Sequence, residues 1–383
     1  VAFVHDALAF IGGAERTLAA MLELFPGAPV YTLVYNRKDL RGSIFADHPV
    51  HTSPLDRLPG IYASYRSFLP LFPFFIEQFD LRQFPLVIST SYAVAHGALV
   101  PAENLHLAYT FTPMRHAWHG YDDYFNDHRS MVHAWLARSM LHYFRLWDYA
   151  AAQRVDRLLA ASELVAGRVR RYYRRTAEVL YPPVEVERFA RLPASRPPGS
   201  YYLVVSRLRP HKRVDLVVEA INRLGYPLLV VGEGSERHRL EGMAGPNVSF
   251  LGQQSDADLI KLLAGARALV HAAEEDFGIT IVEAQAVGCP VIAYGRGGAV
   301  ETVIPEVTGV LFPEQSPDSL AEAVLNFQAI EAGFDVGDLR ANAARFSKER
   351  FQGRFLAYLD EFVDHGADDG RAVRMPQERV VTF

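Results

Sequence analysis

The sequence predicts two α/β domains in tandem, on three observations. First, 383 residues are long for a single hydrophobic core, which favours two domains. Second, each half repeats one pattern: a short apolar run, a Gly-bearing loop, then an apolar-periodic helix. Third, Tyr181-Pro182-Pro183 and the Pro/Ser/Gly-rich residues 192–200 break the chain near its middle, as a domain boundary does.

Composition narrows the class. Half the residues are hydrophobic and 22% are charged, which fits a globular protein rather than a disordered one. The net charge of −5 argues against general nucleic-acid binding. Cys289 is the single cysteine, so neither an intramolecular disulfide framework nor a Cys-rich zinc module is available, and a reducing compartment is expected. No apolar run approaches the roughly 20 residues of a membrane helix. No secretory leader is visible, and the lack of an initial Met leaves room for a few residues trimmed ahead of Val1.

In chain order, residues 1–4 read as a buried strand leading into His5-Asp6, then Gly12-Gly13, then a helix over 17–24. A strand, a Gly pair and a helix let backbone approach a ligand closely, or simply make a tight turn. The loop is not G-x-G-x-x-G, so a dinucleotide-dependent dehydrogenase loses its main support. Residues 30–35, 86–90 and 105–109 read as further strands. Residues 68–76, rich in Pro and Phe, suit core or cleft packing and, as the sharper reading, a lipid-facing patch.

After the strand 105–109 comes Thr110-Phe111-Thr112-Pro113-Met114-Arg115-His116-Ala117-Trp118-His119. The His116-x-x-His119 spacing is that of metal ligands, but no further ligand cluster lies nearby, so ordinary histidines are the plainer reading. Seven arginines stand between 154 and 175 against Asp156 and Glu163, partly on a helix over 163–173. They form either a solvated face or a docking face for anionic lipid head groups.

The second half opens with a strand over 201–206. The basic loop Arg207-Leu208-Arg209-Pro210-His211-Lys212-Arg213 follows, then a helix over 214–224. Residues 228–231 with Gly232-Glu233-Gly234, and 248–252 with Gln253-Gln254, are the next strands and their loops. Asp256-Ala257-Asp258 matches D-x-D, a metal motif, but sits at the start of a helix over 258–265, where acids complement the dipole. That capping role is the one adopted. A strand over 268–271 precedes Glu275-Asp276-Phe277-Gly278-Ile279-Thr280-Ile281-Val282-Glu283, and a strand over 290–294 follows Gly288. Gly278 and Gly288 bracket a short helix whose free N–H groups and dipole suit an anion. Carboxylates on either side of a phosphate-seeking helix end suit a nucleotide-sugar, with hydroxyls on both sides of its diphosphate.

Glu-x7-Glu with Phe-Gly just after the first Glu resembles the signature of retaining glycosyltransferases of family 4. Residues 111–119 are similar to a His-Thr-Pro-Met-Arg-Tyr-Ala-Trp-Asp pattern in a GDP-mannose-dependent, mannosyltransferase-like branch of it. Phe111 stands where that pattern has His, near the anomeric carbon, and a phenyl ring neither takes a proton nor hydrogen-bonds a sugar. His116 and His119 replace its Tyr and Asp, and with Arg115 they fall on the acceptor side.

The resemblance implies a GT-B fold: two doubly wound Rossmann-like domains facing a cleft, with a C-terminal helix crossing back to the first domain. It implies an acceptor-side domain over 1–182, a nucleotide-sugar-binding domain over 183–345, a bracing helix over 346–365 and a tail over 366–383. It further implies transfer of a hexosyl group, mannose as the guess, to an acceptor hydroxyl with retention, in cell-surface polysaccharide or glycolipid synthesis. Arg207, Lys212 and Glu275 carry the catalytic roles: the two cations hold the diphosphate in place of a metal, and Glu275 binds sugar hydroxyls. Gly12, Gly13, Gly232, Gln253, Phe277, Gly278, Ile279 and Thr280 contact the donor, and Glu283 the ribose. No cofactor and no metal are expected, with GDP-mannose or a UDP-sugar as co-substrate. The acceptor is a saccharide or lipid-linked sugar, and the enzyme is cytoplasmic with peripheral membrane contact. Two alternatives remain. One is a nucleotide-sugar 2-epimerase on the same fold, a class lacking Glu-x7-Glu. The other is a non-catalytic nucleotide-sugar-binding relative, suggested by Phe111.

Overall fold

A computed structural model describes residues 1–119, 131–189 and 199–368. The expected linker at 192–200 and tail at 366–383 fall largely outside the described residues. The chain forms two compact units, Val1–Pro183 with Phe351–Phe383, and Val184–Arg350.

The first unit is built on a parallel sheet of β1 (Ala2–His5), β2 (Val30–Thr32), β3 (Val50–Thr52), β4 (Leu86–Ser91), β5 (Leu105–Thr110), β6 (Arg157–Ala160) and β7 (Glu178–Val179). Its order is β3-β2-β1-β4-β5-β6-β7. β1, β4 and β5 are buried along their whole length, as strands covered on both faces must be. One face carries the helix Gly13–Leu22 and, from the far end of the chain, Phe351, Phe355, Leu359, Phe362 and Val363 of the helix Lys348–Asp368. Gln352 fixes that helix by donating to the Ala20 carbonyl at 2.8 Å. The other face packs Phe72, Ile76, Leu141 and Phe144.

The second unit repeats the plan with β8 (Tyr201–Val205), β9 (Leu228–Val231), β10 (Val248–Gly252), β11 (Ala266–His271), β12 (Val291–Tyr294) and β13 (Gly309–Phe312), ordered β10-β9-β8-β11-β12-β13 and parallel throughout. Some of its helices start on side-chain caps: Ser316 accepts from the Ser319 N–H and Asp335 from the Asp338 N–H. Gly225 and Gly288 end two others in the left-handed conformation.

Several boundaries differ from expectation. The first helix begins at Gly13, not 17, because the Glu15 carboxylate caps the Gly12 N–H and draws the Gly pair into the first turn. β2 stops at Thr32, since Leu33 turns to bond the Asp6 carbonyl. The helix expected over 258–265 starts at Asp256, one residue after its Ser255 cap. The C-terminal helix starts at Lys348 rather than 346.

Candidate functional site

Strand order reverses between β8 and β11, where β8 has β9 on its other side and β11 has β12. At such a switch point the loops leaving the two carboxyl ends diverge and open a crevice. Arg207 and Lys212 lie on the loop after β8; Glu275 to Gly278 lie on the loop after β11. These loops meet: the Lys212 ammonium donates to Glu275 Oε1 at 2.5 Å. Burial alone would raise the Glu275 carboxyl. Lys212, His271 and Arg207 outweigh it and hold the group at about 2, so it is a fixed anion at neutral pH.

His271, the last residue of β11, completes the cluster with Nε2 3.4 Å from Glu275 Oε1. Burial lowers its pKa, and the opposing pull of Glu275 does not offset this, so the ring is neutral near pH 7. The sequence placed His271 only as a strand end, although a His at the carboxyl end of an apolar strand four residues before Glu275 was the available signal.

The helix Ile279–Val287 follows directly, capped by Gly278 at φ 91°, a backbone that side chains rarely tolerate. Its first turn, with Ile279 and Thr280, points free N–H groups out of the same edge. Gly298, after β12, donates its N–H to the Glu275 carbonyl at 2.8 Å and so braces the loop from the far side. The Phe277 side chain is buried edge-on against Phe346, with ring centroids 5.3 Å apart, so only its backbone is left to meet a ligand. Glu283, one turn on, is half-buried. Gly232 ends β9 where a Cβ would run into the Ser206 carbonyl oxygen, so it lets the β8 and β9 loops close on each other. Gln253 is exposed just past β10. Asp256 and Asp258 are committed elsewhere: Asp256 to Arg188 at 2.8 Å, Asp258 to Ser255 and Lys261. Among the described residues, no group of three or more His, Cys, Asp or Glu side chains is placed to hold a metal ion.

The first unit has its own switch point, between β1 and β4. Asp6, fully buried just after β1, accepts four backbone N–H groups, from Tyr92, Ala93, Val94 and Ala95, at 2.6–3.0 Å. It thereby ties the β4 loop to the β1 loop. Glu15 accepts the Gly12 N–H at 2.8 Å through Oε2, and its Oε1 lies 3.5 Å from His5 Nε2. His5 is anchored in turn on the Thr90 hydroxyl at 2.7 Å. Sequence reasoning named Gly12 and Gly13 but not this polar frame beneath them.

Phe111 leaves β5 half-buried, its ring T-shaped against Tyr109 at 5.0 Å, joined to the core rather than standing clear of it. Arg115 and His116 begin the short helix Arg115–Trp118. His119 lies parallel to Tyr172 at 6.5 Å, and burial, with Arg168, Arg115 and His116 nearby, pushes its pKa down to about 3.

The structure divides the residues of two surface readings. In residues 68–76, Phe72 and Ile76 are core, while Leu71 and Phe74 are exposed. Among the arginines, Arg175 donates to the carbonyls of Ala152, Val155 and Asp156, and Arg154 binds Glu77 and the Gly97 carbonyl. Orphan carbonyls at a helix end attract cations, which removes these two from any free docking face.

The two sheets, their order and their parallel sense are those of the GT-B fold. Over 94% of this chain and all of the other, it superposes on Anabaena HepE in complex with UDP, with a TM-score of 0.67 at 17% identity. Over 95% of the chain it superposes on all of the sucrose-phosphate synthase from Thermosynechococcus elongatus, with a TM-score of 0.69 at 19% identity. More narrowly, residues 188–349, within the second unit, match the family model Glycosyl transferases group 1. The chain is 34% identical to a GDP-mannose-dependent alpha-mannosyltransferase of Mycobacterium tuberculosis, over 37% of this chain and 41% of the relative. It is 37% identical to a GDP-mannose-dependent monoacylated alpha-(1-6)-phosphatidylinositol monomannoside mannosyltransferase of Corynebacterium glutamicum, over 31% and 35%. The matched stretches thus span less than half of these relatives. The names support the glycosyltransferase expectation and lend none to the epimerase.

Proposed function

We propose that the chain is a retaining hexosyltransferase, moving a sugar from a nucleotide-sugar to an acceptor hydroxyl. The observation that carries this is the Lys212–Glu275 pair at the β8/β11 switch point, beside the Gly278-capped helix start. A cation, a fixed anion and free amides converging there suit a diphosphate bonded to a hydroxylated sugar. Lys212 and Arg207 take the diphosphate with the amides around Gly278 to Thr280. Glu275 and the Phe277-Gly278 backbone take sugar hydroxyls, Glu283 the ribose, and Gln253 and Gly232 flank the base side. In the first unit, Gly12 and Gly13, stiffened by Glu15, form a loop where backbone can approach a ligand closely.

In the reaction, the anomeric carbon–phosphate bond breaks and an acceptor C–O bond forms on the same face. The acceptor proton passes to the leaving phosphate, so Phe111 in place of a His removes no required base. Because Glu275 stays ionised, it serves as a hydrogen-bond acceptor and not as a proton donor. The fixed cations make a divalent metal unnecessary. Mannose from GDP-mannose is the donor favoured by the two relatives above, and a membrane-borne acceptor is favoured by the exposed apolar residues of the first unit. Incubation with GDP-mannose, UDP-glucose and UDP-GlcNAc, following nucleoside diphosphate release, tests the reading. Release from none of them, with tight nucleotide binding, would mean a non-catalytic relative.

A further inference from the structure

Glu275 Oε1 faces two nitrogens at once, Lys212 Nζ at 2.5 Å and His271 Nε2 at 3.4 Å. The first contact is a short charge-assisted hydrogen bond, and the second falls just beyond one. His271 Nε2 is itself buried and makes no hydrogen bond. Buried polar atoms in native proteins seldom go without a partner, so this one calls for an explanation. The side chains of His271, Lys212 and Glu275 are 6, 12 and 28% exposed, so the imidazole lies deepest. Its backbone is fixed in the sheet by pairing with Ala293 of β12. The loop that follows is pinned twice: the Ala272 carbonyl accepts Gln315 Nε2 at 2.8 Å, and the Glu275 carbonyl accepts the Gly298 N–H. With the backbone held, what remains to move is the Glu275 side chain.

We propose that His271 is a positioning residue, which takes over the Glu275 carboxylate when the diphosphate of a nucleotide-sugar draws Lys212 away. The inference rests on the diphosphate-binding role given to Lys212 in the reading above. A diphosphate competes for the ammonium with more negative charge than one carboxylate offers. The same charge repels Glu275, which stays ionised. Once Lys212 is withdrawn, Oε1 needs another donor, because an enclosed carboxylate oxygen left unpaired is costly. His271 Nε2 comes within hydrogen-bond distance after an approach of about half an ångström. Burial keeps the ring neutral near pH 7, so it carries one N–H, and the neighbouring carboxylate favours that proton on Nε2. A neutral donor suits the task. It orients Glu275 toward the sugar hydroxyls without competing for the diphosphate, as a second cation would. Lys212 thus holds Glu275 before the donor binds and His271 holds it afterwards, with no proton transferred in the exchange.

The test joins kinetics to imidazole NMR. The substrate is whichever of GDP-mannose, UDP-glucose and UDP-GlcNAc the wild type turns over. His271→Phe fills the space of the ring but removes the N–H, and should lower kcat about tenfold with little change in donor KM. His271→Gln returns an N–H near the Nε2 position and should recover most of that loss. On a Glu275→Gln background, His271→Phe should cost nothing further, because the carboxylate it serves is gone. Melting curves report whether each variant is folded, and NMR of the wild type follows the exchange itself. In protein labelled with nitrogen-15 in its histidine rings, the Nε2–H resonance that His271→Gln deletes should move downfield on saturation with GDP or UDP. Three results would overturn the proposal while leaving the transferase reading intact. They are equal kcat for the Phe and Gln variants, additive losses in the double variant, and a resonance indifferent to a nucleoside diphosphate that calorimetry shows to be bound. Binding of neither nucleotide, with no turnover, would sink that reading and the exchange with it.

Discussion

Lys212 and Glu275, 63 residues apart in sequence, meet at 2.5 Å where the β8 and β11 loops diverge. The pair is partly open to solvent, at 12 and 28% side-chain exposure, so an incoming anion reaches Lys212 without unfolding the loop. On the proposed reading, Glu275 thus holds the ammonium in place before a donor arrives. Preorganised charge of this kind costs no reorganisation at the moment of reaction.

The two glutamates of the Glu-x7-Glu stretch should separate kinetically. On the proposed reading, Glu275 is tied to the diphosphate cation and the transferred sugar, and Glu283 lies further along the helix. Steady-state kinetics should show Glu275→Ala lowering kcat by about tenfold to a hundredfold, and Glu283→Ala chiefly raising the donor KM. If both raised KM alone, the assignment of roles would be wrong.

Phe111 packs on Tyr109 but is only half-buried, so Phe111→His should fold. Its activity should equal or exceed that of wild type, because the imidazole regains a hydrogen bond to the sugar. An inactive wild type rescued by this change would reveal a degenerate site. A large drop in activity would show that the phenyl ring itself is required.

Asp6 is a structural anchor. Removing its carboxylate in Asp6→Ala leaves the N–H groups of Tyr92 to Ala95 without their acceptor in a largely buried turn. At about 1–3 kcal/mol for each buried orphan, a loss of roughly 4 kcal/mol or more is expected in urea denaturation. A variant as stable as wild type would show that water replaces the carboxylate.

His106 predicts acid lability. Burial, reinforced by His96, holds its pKa at about 3, while its ring accepts or donates to Ser89 at 2.9 Å. The unfolded chain takes up the proton near the ordinary 6.5 and the folded chain does not. Stability is therefore intact above about 6.5 and falls as pH drops toward 3, by at most about 1.4 kcal/mol per pH unit from this residue. His119, also near 3, adds in the same direction. Melting curves of wild type and His106→Gln between pH 7 and 4 should show a shallower decline in the variant. Parallel curves would refute the assignment.

Much of this was legible in the sequence because its elements are locally consistent. The helix Val214–Leu224 has one apolar face and a Gly stop, and the strand–loop–helix around Gly278 carries its own caps. The helix Met131–Gln153 was not read, because apolar residues on both its buried and its exposed faces erase the 3.6-residue period. β6 was hidden inside an arginine-rich stretch, of which Arg154 and Arg175 bond backbone carbonyls. Individual site residues were visible as motifs. Their partnerships, Lys212 with Glu275 and His271, or Asp6 with the β4 loop, depend on strand order, which no local pattern encodes.

The most direct test of the account is nucleoside diphosphate release from the preferred nucleotide-sugar, measured for wild type and Lys212→Ala with and without EDTA. If covalently fixed cations stabilise the leaving diphosphate, EDTA leaves the wild-type rate unchanged. Lys212→Ala then loses about 2.7–4 kcal/mol of transition-state stabilisation, roughly a hundredfold to a thousandfold in rate. Activity abolished by EDTA and restored by manganese, or a Lys212→Ala protein as fast as wild type, would contradict it.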